Sequence, residues 1–466
     1  FPVLINRTDT NWKVTGSGGH VGQADGGDFV FTSSDGTTKL DHEIEKYVST
    51  TGELIAWVEV PTVATATDTE IYLYYGNSGV ADQWNINGTW NDGGSANYQG
   101  VWHLPDGTTL SVADSTSNNS SGSNTSVTAT SGVIGGAGSF NGSSATVDVT
   151  PSSGLAFSGS GSITLETWLN TNSLAVAQVP ISKMHSTNDQ VAYAVYVDTN
   201  GTILFQTTTG GSSGGQVWST SSTGLISTST NYHVVITYTW GTGSSIKCYI
   251  NGVPVSGSWT VGTGNVTFTN SSLHPFLGRL NHASFPRWFN GKLDEMRVSN
   301  TTRSADWVAT EYNNQSSPST FYTAASEEAI TVPDAPTSLN ATVGNTQVSL
   351  SWTAPANDGG LSLTDYVVDY KLASEPTTWS TFADGTSTST SATVTGLTNS
   401  ASYNFRVSAV NALGQGTASS TATTTPATVP TAPTIGTATG GNAEASVAFT
   451  PAAGYTDWYN ASWGYR

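Results

Sequence analysis

The chain has 466 residues, only 10% of them charged, and its 33 acidic and 14 basic side chains give a net charge of −19. So few cations argue against nucleic acid or an anionic membrane as a partner, since both are held by basic patches. One cysteine, Cys248, excludes an internal disulfide and a thiolate metal site.

Period-two alternation of apolar and polar residues runs through the sequence, and helical periodicity is almost absent. Short runs bounded by Gly, Asn, Ser and Pro predict an all-β chain of tandem sandwiches. The first unit, residues 1–92, opens with "FPVLI" and continues through "ELIAWVEV" and "EIYLYY". The second, residues 97–325, contains "YAVYV" and "HVVITYTW". In it "DTNGTILF" and "CYINGVPV" place Asn-Gly between apolar runs, a strong hairpin signal. Cys248, in the second of these, reads as a small buried strand residue. One helix is predicted at "RSADWVATEYNNQ", residues 303–315, capped by Ser304, with Trp307, Val308 and Tyr312 on its apolar face. "ASEEAITVP" reads as a linker to a third unit, residues 333–427. Residues 428–453 then repeat the start of that unit. "TVPDAPTSLNATVGNTQVSLSWTAP" at 331–355 recurs as "TVPTAPTIGTATGGNAEASVAFTPA" at 428–452, with Leu350 matching Val447 and Trp352 matching Phe449. The last stretch, 454–466, contains "YTDWYNASWGYR", with Trp458, Tyr459, Trp463 and Tyr465.

Three resemblances follow from these residues. The pattern "APTSLNAT…VSLSWTAP…DYVVDYK…ATVTGLTNSASYNFRVSAVNALGQG" resembles a fibronectin type III domain. The resemblance makes Trp352 the core Trp and places Leu397 and Tyr403 in a tyrosine corner. The stretches "GVWHLPDG", "SITLETWLN", "CYINGVPV", "FLGRL" and "FNGKLDEMRVSNTTRSADWVATEYNNQ" resemble a laminin-G-like, concanavalin A-like jelly roll of bacterial surface proteins. "FPVLI…DGGDFVFTSSDGTTKLDHEIEKY…GELIAWVEVP…IYLYYGN" resembles the DUF2341-type β-sandwich. Members of that family start with a Trp- and Tyr-rich segment before reaching the equivalent of "FPVLI". The tail of this chain looks like that missing start. It implies head-to-tail contact between copies, with the tail completing a neighbour's first sandwich by strand addition.

Several residues are candidates for chemistry. "LDHEIEKY" sets Asp41, Glu43 and Glu45 at alternate positions, on one face of a strand. Paired carboxylates serve glycoside hydrolysis, yet a solvated or charge-protected strand face is the ordinary reading. Asp294 and Glu295 are adjacent, so a regular strand would point them to opposite faces. His103, His233 and His274 read as structural. No catalytic order of residues emerges, and the chain is expected not to be an enzyme. In related jelly rolls a structural calcium joins an early acidic loop to a late strand, which the resemblance carries to Asp114, Asn118 and Asp294. Asp25 and Asp28 form a weaker second candidate. Arg287 and Trp288, in the loop "LNHASFPRWFNG", are candidates for stacking on a glycan or for packing on a neighbouring domain.

No apolar run reaches the roughly 18–20 residues of a membrane helix. Low Cys and abundant Gly, Ser, Thr and Asn fit a secreted protein of a microbial surface. The expected function is therefore structural or adhesive: a subunit or repeat of a head-to-tail surface filament. The alternative is a calcium-assisted, carbohydrate-binding adhesin module, and after that a glycoside hydrolase.

Overall fold

The computed structural model describes residues 1–450 apart from 65–66, 91–97, 106, 108, 153, 156, 160, 185–189, 209–214, 270–273, 429–433 and 443–444. Trp458, Tyr459, Trp463 and Tyr465 lie outside the described residues. The chain divides into two compact units, Phe1–Ala325 and Ser326–Arg466. The predicted units 1–92 and 97–325 thus belong to one body.

The first sandwich comprises β1 (Pro2–Thr8), β2 (Val30–Ser33), β3 (Lys39–Leu40), β4 (His42–Val48), β5 (Glu53–Glu59) and β6 (Ile71–Tyr74). They form two antiparallel three-stranded sheets, in the orders β1-β5-β4 and β3-β2-β6. Val3, Ile5, Leu54, Ala56 and Val58 face Phe29, Phe31 and Leu40 in a shared core. The intervening residues Leu4, Ile55 and Trp57 point the other way, into a second apolar cluster with Val101, Ile134 and Trp168 of the jelly roll. The "LIAWV" run of β5 is consequently buried on both faces, as an unbroken apolar strand requires.

His42 lies wholly in the first core, with its ring 5.1 Å from that of Phe31. Burial pushes its imidazole down from 6.5 to about 4. Between those values the unfolded chain takes up a proton that the fold does not, so stability falls as pH drops through this window. The full shift is worth about 3 kcal/mol. His42→Leu is expected to flatten the urea-midpoint profile of the first unit between pH 6.5 and 4; a profile parallel to that of wild type would refute it.

Two eight-stranded sheets build the jelly roll. Its front sheet contains β7 (Tyr98–Trp102), β8 (Ser162–Thr171) and β9 (Asn290–Ser299), and β9 pairs with both others. The Asn251-Gly252 turn has positive φ at both residues, 51° and 76°, as a two-residue hairpin demands. Cys248 is buried on the preceding strand. The predicted helix is α1 (Ala305–Ser316), and Ser304 Oγ accepts from Trp307 N at 3.1 Å. Only Val308 of its predicted apolar face is fully buried; the other buried residues are Glu311, Asn314 and Gln315. The inward face is mixed: Val308 packs with Val235 and Tyr249, and Tyr312 stacks on Trp168, while Glu311, Asn314 and Gln315 bring polar groups into the junction.

Asn314 and Tyr322 close the outer edge of β1. Leu4 N donates to Asn314 Oδ1 at 2.7 Å, and Asn314 Nδ2 donates to Leu4 O at 3.0 Å. Tyr322 Oη accepts from Asn6 N and donates to Asn6 O, each at 3.1 Å. These are the β1 groups that face away from β5, so side chains take the place of a neighbouring strand.

In the second unit Thr337–Val343, Gln347–Thr353 and Ser391–Thr395 form one sheet, and Asp365–Leu372 with Tyr403–Asn411 form the heart of the other. Trp352 is buried between them. Thr398 N donates to Tyr403 Oη at 3.1 Å, which is the expected tyrosine corner. The repeated segment forms a hairpin, Thr434–Gly440 with Ala445–Thr450. Its Val447 is 50% exposed, whereas the matching Leu350 is 2% exposed.

Candidate functional site

Between the first sandwich and the jelly roll lies a buried charged cluster. β4 contributes Glu43 and Glu45; His103 follows β7; β8 contributes Glu166; β9 contributes Asp294, Glu295 and Arg297; α1 contributes Glu311 and Gln315. Of the carboxylates of "LDHEIEKY", Glu43 and Glu45 are therefore not on a solvated face, whereas Asp41 stays partly exposed and accepts from Asn85 Nδ2 at 3.0 Å. Glu43 is 7% exposed, and the Glu45 side chain 2%. β5 is covered on both sides, so its neighbour β4 is covered with it. A register shift between Ile44 and Lys46 marks a bulge at Glu45.

His103 sits at the centre. Its Nε2 lies 3.1 Å from Glu43 Oε2 and its Nδ1 2.7 Å from Glu295 Oε1. Glu45 Oε2 is 3.7 Å from the same Nδ1. Indoles complete the walls: Trp57 Nε1 donates to Glu45 Oε2 at 3.0 Å, and Trp90 Nε1 to Glu43 Oε2 at 2.5 Å. Ser115 Oγ donates to Glu43 Oε1 at 2.8 Å. Arg297 extends the chain, with Nη2 2.7 Å from Glu295 Oε2 and Nη1 2.7 Å from Glu311 Oε1. Its guanidinium also lies 4.2 Å from the Trp57 ring centre. Beyond it, Glu166 Oε1 meets His233 Nε2 at 3.0 Å and Gln315 Nε2 at 3.3 Å.

Adjacent Asp294 and Glu295 both enter this region, against the alternation of a regular strand. Glu295 has φ +50°, and the β8–β9 register shifts between Glu166 and Trp168. The bulge re-aims Glu295 toward His103. A left-handed glutamate is uncommon and costs local energy, which its two ionic partners offset.

The electrostatics follow from burial and neighbours. Burial opposes a charge on His103, but Glu295 and Glu43 outweigh it and hold the imidazole well above its ordinary value. Burial alone would raise Glu43; the His103 charge overrides it and holds the carboxyl low. Burial and the Glu295 charge push Glu45 up to about 8. The same two causes carry Asp294 well above the carboxylate range. Glu166, buried but facing Arg297, is held at about 2.

The predicted metal ligands do different work. Asp114 Oδ1 accepts from Val101 N and Thr116 N, and Oδ2 from Thr116 Oγ1 and Ser120 N. Four donors occupy the roughly four lone-pair positions of a carboxylate. Asn118 Nδ2 reaches Gln99 O at 3.3 Å. Asp294 Oδ2 accepts from Val133 N and Ile134 N at 2.7 and 3.0 Å, so it shares no partner with Asp114. Asp28 likewise accepts from Gly22, Gln23 and Gly76 N, and Asp25 from Gly27 N. Arg287 is exposed, while Trp288 is half-buried under Arg279, whose guanidinium lies 4.6 Å from the ring centre. Phe289 is a core residue packed on Phe140.

Sequence reasoning missed His103, Arg297 and Glu311 as members of one site. His103 is a polar residue inside the apolar run "GVWHLP", which is a local signal; Arg297 and Glu311 have polar neighbours and give none. Which of them meet depends on pairings across nearly 200 residues.

Fold and cluster together define a multidomain β-sandwich protein in which a lectin-like jelly roll is joined to a smaller sandwich and followed by a fibronectin-like unit. Family models match the chain in that order: the domain of unknown function DUF2341 over residues 25–99, the concanavalin A-like lectin/glucanases superfamily over 140–309, and the fibronectin type III domain over 334–425. The chain thus combines matches to these three families in tandem. Among solved structures it is similar to titin kinase with its flanking domains, at 34% identity over 20% of this chain, with TM-score 0.19; it spans 17% of that chain's length. It is also similar to the binding domain of botulinum neurotoxin DC in complex with rat synaptotagmin II, at 11% identity over 67% of this chain and 71% of that one, with TM-score 0.36. The binding domain of Paraclostridial Mosquitocidal Protein 1 matches at 13% identity over 57% and 65%, with TM-score 0.37. At these scores the likenesses say nothing about ligand or partner. Among the described residues, no helix is long and apolar enough to cross a membrane.

Proposed function

We propose that this chain is a structural and adhesive element of an extracellular assembly: a stiff double-sandwich bead followed by fibronectin type III units, in a stalk or head-to-tail filament. The observation that carries this reading is the sealed junction. Carboxylates that a hydrolase would present in a cleft are spent on holding two domains together. Glu295 is 0% exposed, Asp294 3% and Glu166 4%, out of reach of a polymeric substrate. The tandem repeat fits an array, and the uncovered hairpin at Val447 offers a face that further strands would cover.

The contact between copies is assigned to Trp458, Tyr459, Trp463 and Tyr465. The outer edge of β1 is already closed by Asn314 and Tyr322, so an added strand has to use another edge. Sedimentation velocity over a concentration series tests this. The full chain is expected to grow into larger species as concentration rises, and a chain lacking residues 455–466 to stay monomeric. Growth that survives the deletion, or a full chain that never associates, removes the filament reading.

A further inference from the structure

We infer that Glu45, His103 and Glu295 bind a divalent cation of the zinc class, which clamps the first sandwich to the jelly roll. Among the described residues no other three His, Cys, Asp or Glu side chains bring ligand atoms together in this way; here all lie within 4.8 Å of one another. A tetrahedral zinc with bonds of 2.0–2.1 Å sets its ligand atoms about 3.3 Å apart. His103 Nδ1 lies 2.7 Å from Glu295 Oε1 and 3.7 Å from Glu45 Oε2, on either side of that spacing. A small ring rotation brings both to it.

An orphaned atom points independently to a missing ligand. Glu45 Oε1 is buried without a hydrogen-bond partner, on a side chain only 2% exposed. Buried carboxylate oxygens are rarely left unmatched. A cation held between Glu45, His103 and Glu295 takes Glu45 Oε2, 3.7 Å from His103 Nδ1, as a ligand and has the orphaned Oε1 of the same carboxylate beside it.

The surroundings are those of a ligating imidazole. Metal-bound histidines donate their other ring nitrogen to a carboxylate, which fixes the ring. His103 Nε2 meets Glu43 Oε2 in this way, and Glu43 is itself held by Ser115 and Trp90. Binding displaces two protons to solvent, the one between Nδ1 and Glu295 and the one that the Glu45 carboxyl carries without metal. One imidazole nitrogen with carboxylate oxygens favours zinc over calcium, which takes six to eight oxygens. The ligands come from β4, from the residue after β7 and from β9, so the ion ties the smaller sandwich to the larger. The inference deepens the rigid-bead reading and rests on it only for this consequence; metal content is read separately from self-association.

The test is to unfold the full chain with chelator, refold it with Zn²⁺ alone or Ca²⁺ alone, desalt it and count metal. About one Zn²⁺ per chain is expected, with no retained Ca²⁺. Glu45→Gln and His103→Gln should weaken Zn²⁺ binding at least about 100-fold, and Asp114→Asn should leave it unchanged. If the two variants fail to fold, anomalous scattering at the zinc edge from wild-type crystals decides, with the peak expected between Glu45, His103 and Glu295. Substoichiometric zinc, unchanged affinity in Glu45→Gln, or a peak elsewhere overturns the proposal.

Discussion

Arg297→Met is expected to abolish folding of Phe1–Ala325 while leaving the fibronectin type III unit intact. Arg297 is 1% exposed and 2.7 Å from each of Glu295 and Glu311, with Glu166 at 3.7 Å. Removing one partner of a buried ion pair costs about 3–5 kcal/mol, because the other charge stays buried without compensation. Here one cation serves three carboxylates, so the loss exceeds that of a single pair. It approaches the roughly 5–15 kcal/mol that stabilises a typical domain. Arg406→Met is the contrast: it removes one half-exposed cation from a single carboxylate, Asp369, which keeps Thr381 Oγ1 as a donor, so its cost is expected to stay below that at Arg297. Calorimetry should show the larger transition missing only in Arg297→Met. A fully retained transition would mean that the carboxyls take up protons in place of the guanidinium.

Asn314→Ala should destabilise the first sandwich by about 4 kcal/mol and make β1 sticky. The substitution strands Leu4 N and Leu4 O, both paired only to this side chain on the outer edge. Leu4 is 0% exposed, and each unmatched buried backbone group costs about 1–3 kcal/mol. The opened edge also becomes a template for pairing with another chain. Urea midpoints and light scattering check both effects. An alanine variant as stable and as monodisperse as wild type would show that the clasp carries no weight.

The all-β class, the hairpin at Asn251-Gly252 and the capped helix were legible because each is written in neighbouring residues, and the tyrosine corner was implied by the fibronectin type III resemblance. Local spacing specifies a turn or a cap, and nothing distant has to be known. The junction was legible only in fragments. The "LIAWV" run could have announced a strand buried on both faces, yet the carboxylates beside it on β4 read as solvent-facing, since nothing local says that a second domain covers them. The Asp294–Glu295 pair misled for another reason. A bulge with a left-handed glutamate breaks the alternation on which strand reasoning depends, and no glycine or turn residue flags it. The acidic loop at Asp114 is a cation candidate by residue type and by the family resemblance. The direction of its N–H groups, which fill the carboxylate, is a property of folded backbone.

β5 has one face in each of two cores. Trp57 and Ile55 belong to the cluster with the jelly roll, while Leu54, Ala56 and Val58 belong to the smaller sandwich. Recombination that moved either family module without the other would leave half of a strand's apolar surface facing water. The two are therefore bound to each other by a shared strand, and the first boundary the chain offers at which nothing of that strand is exposed is the one after Ala325.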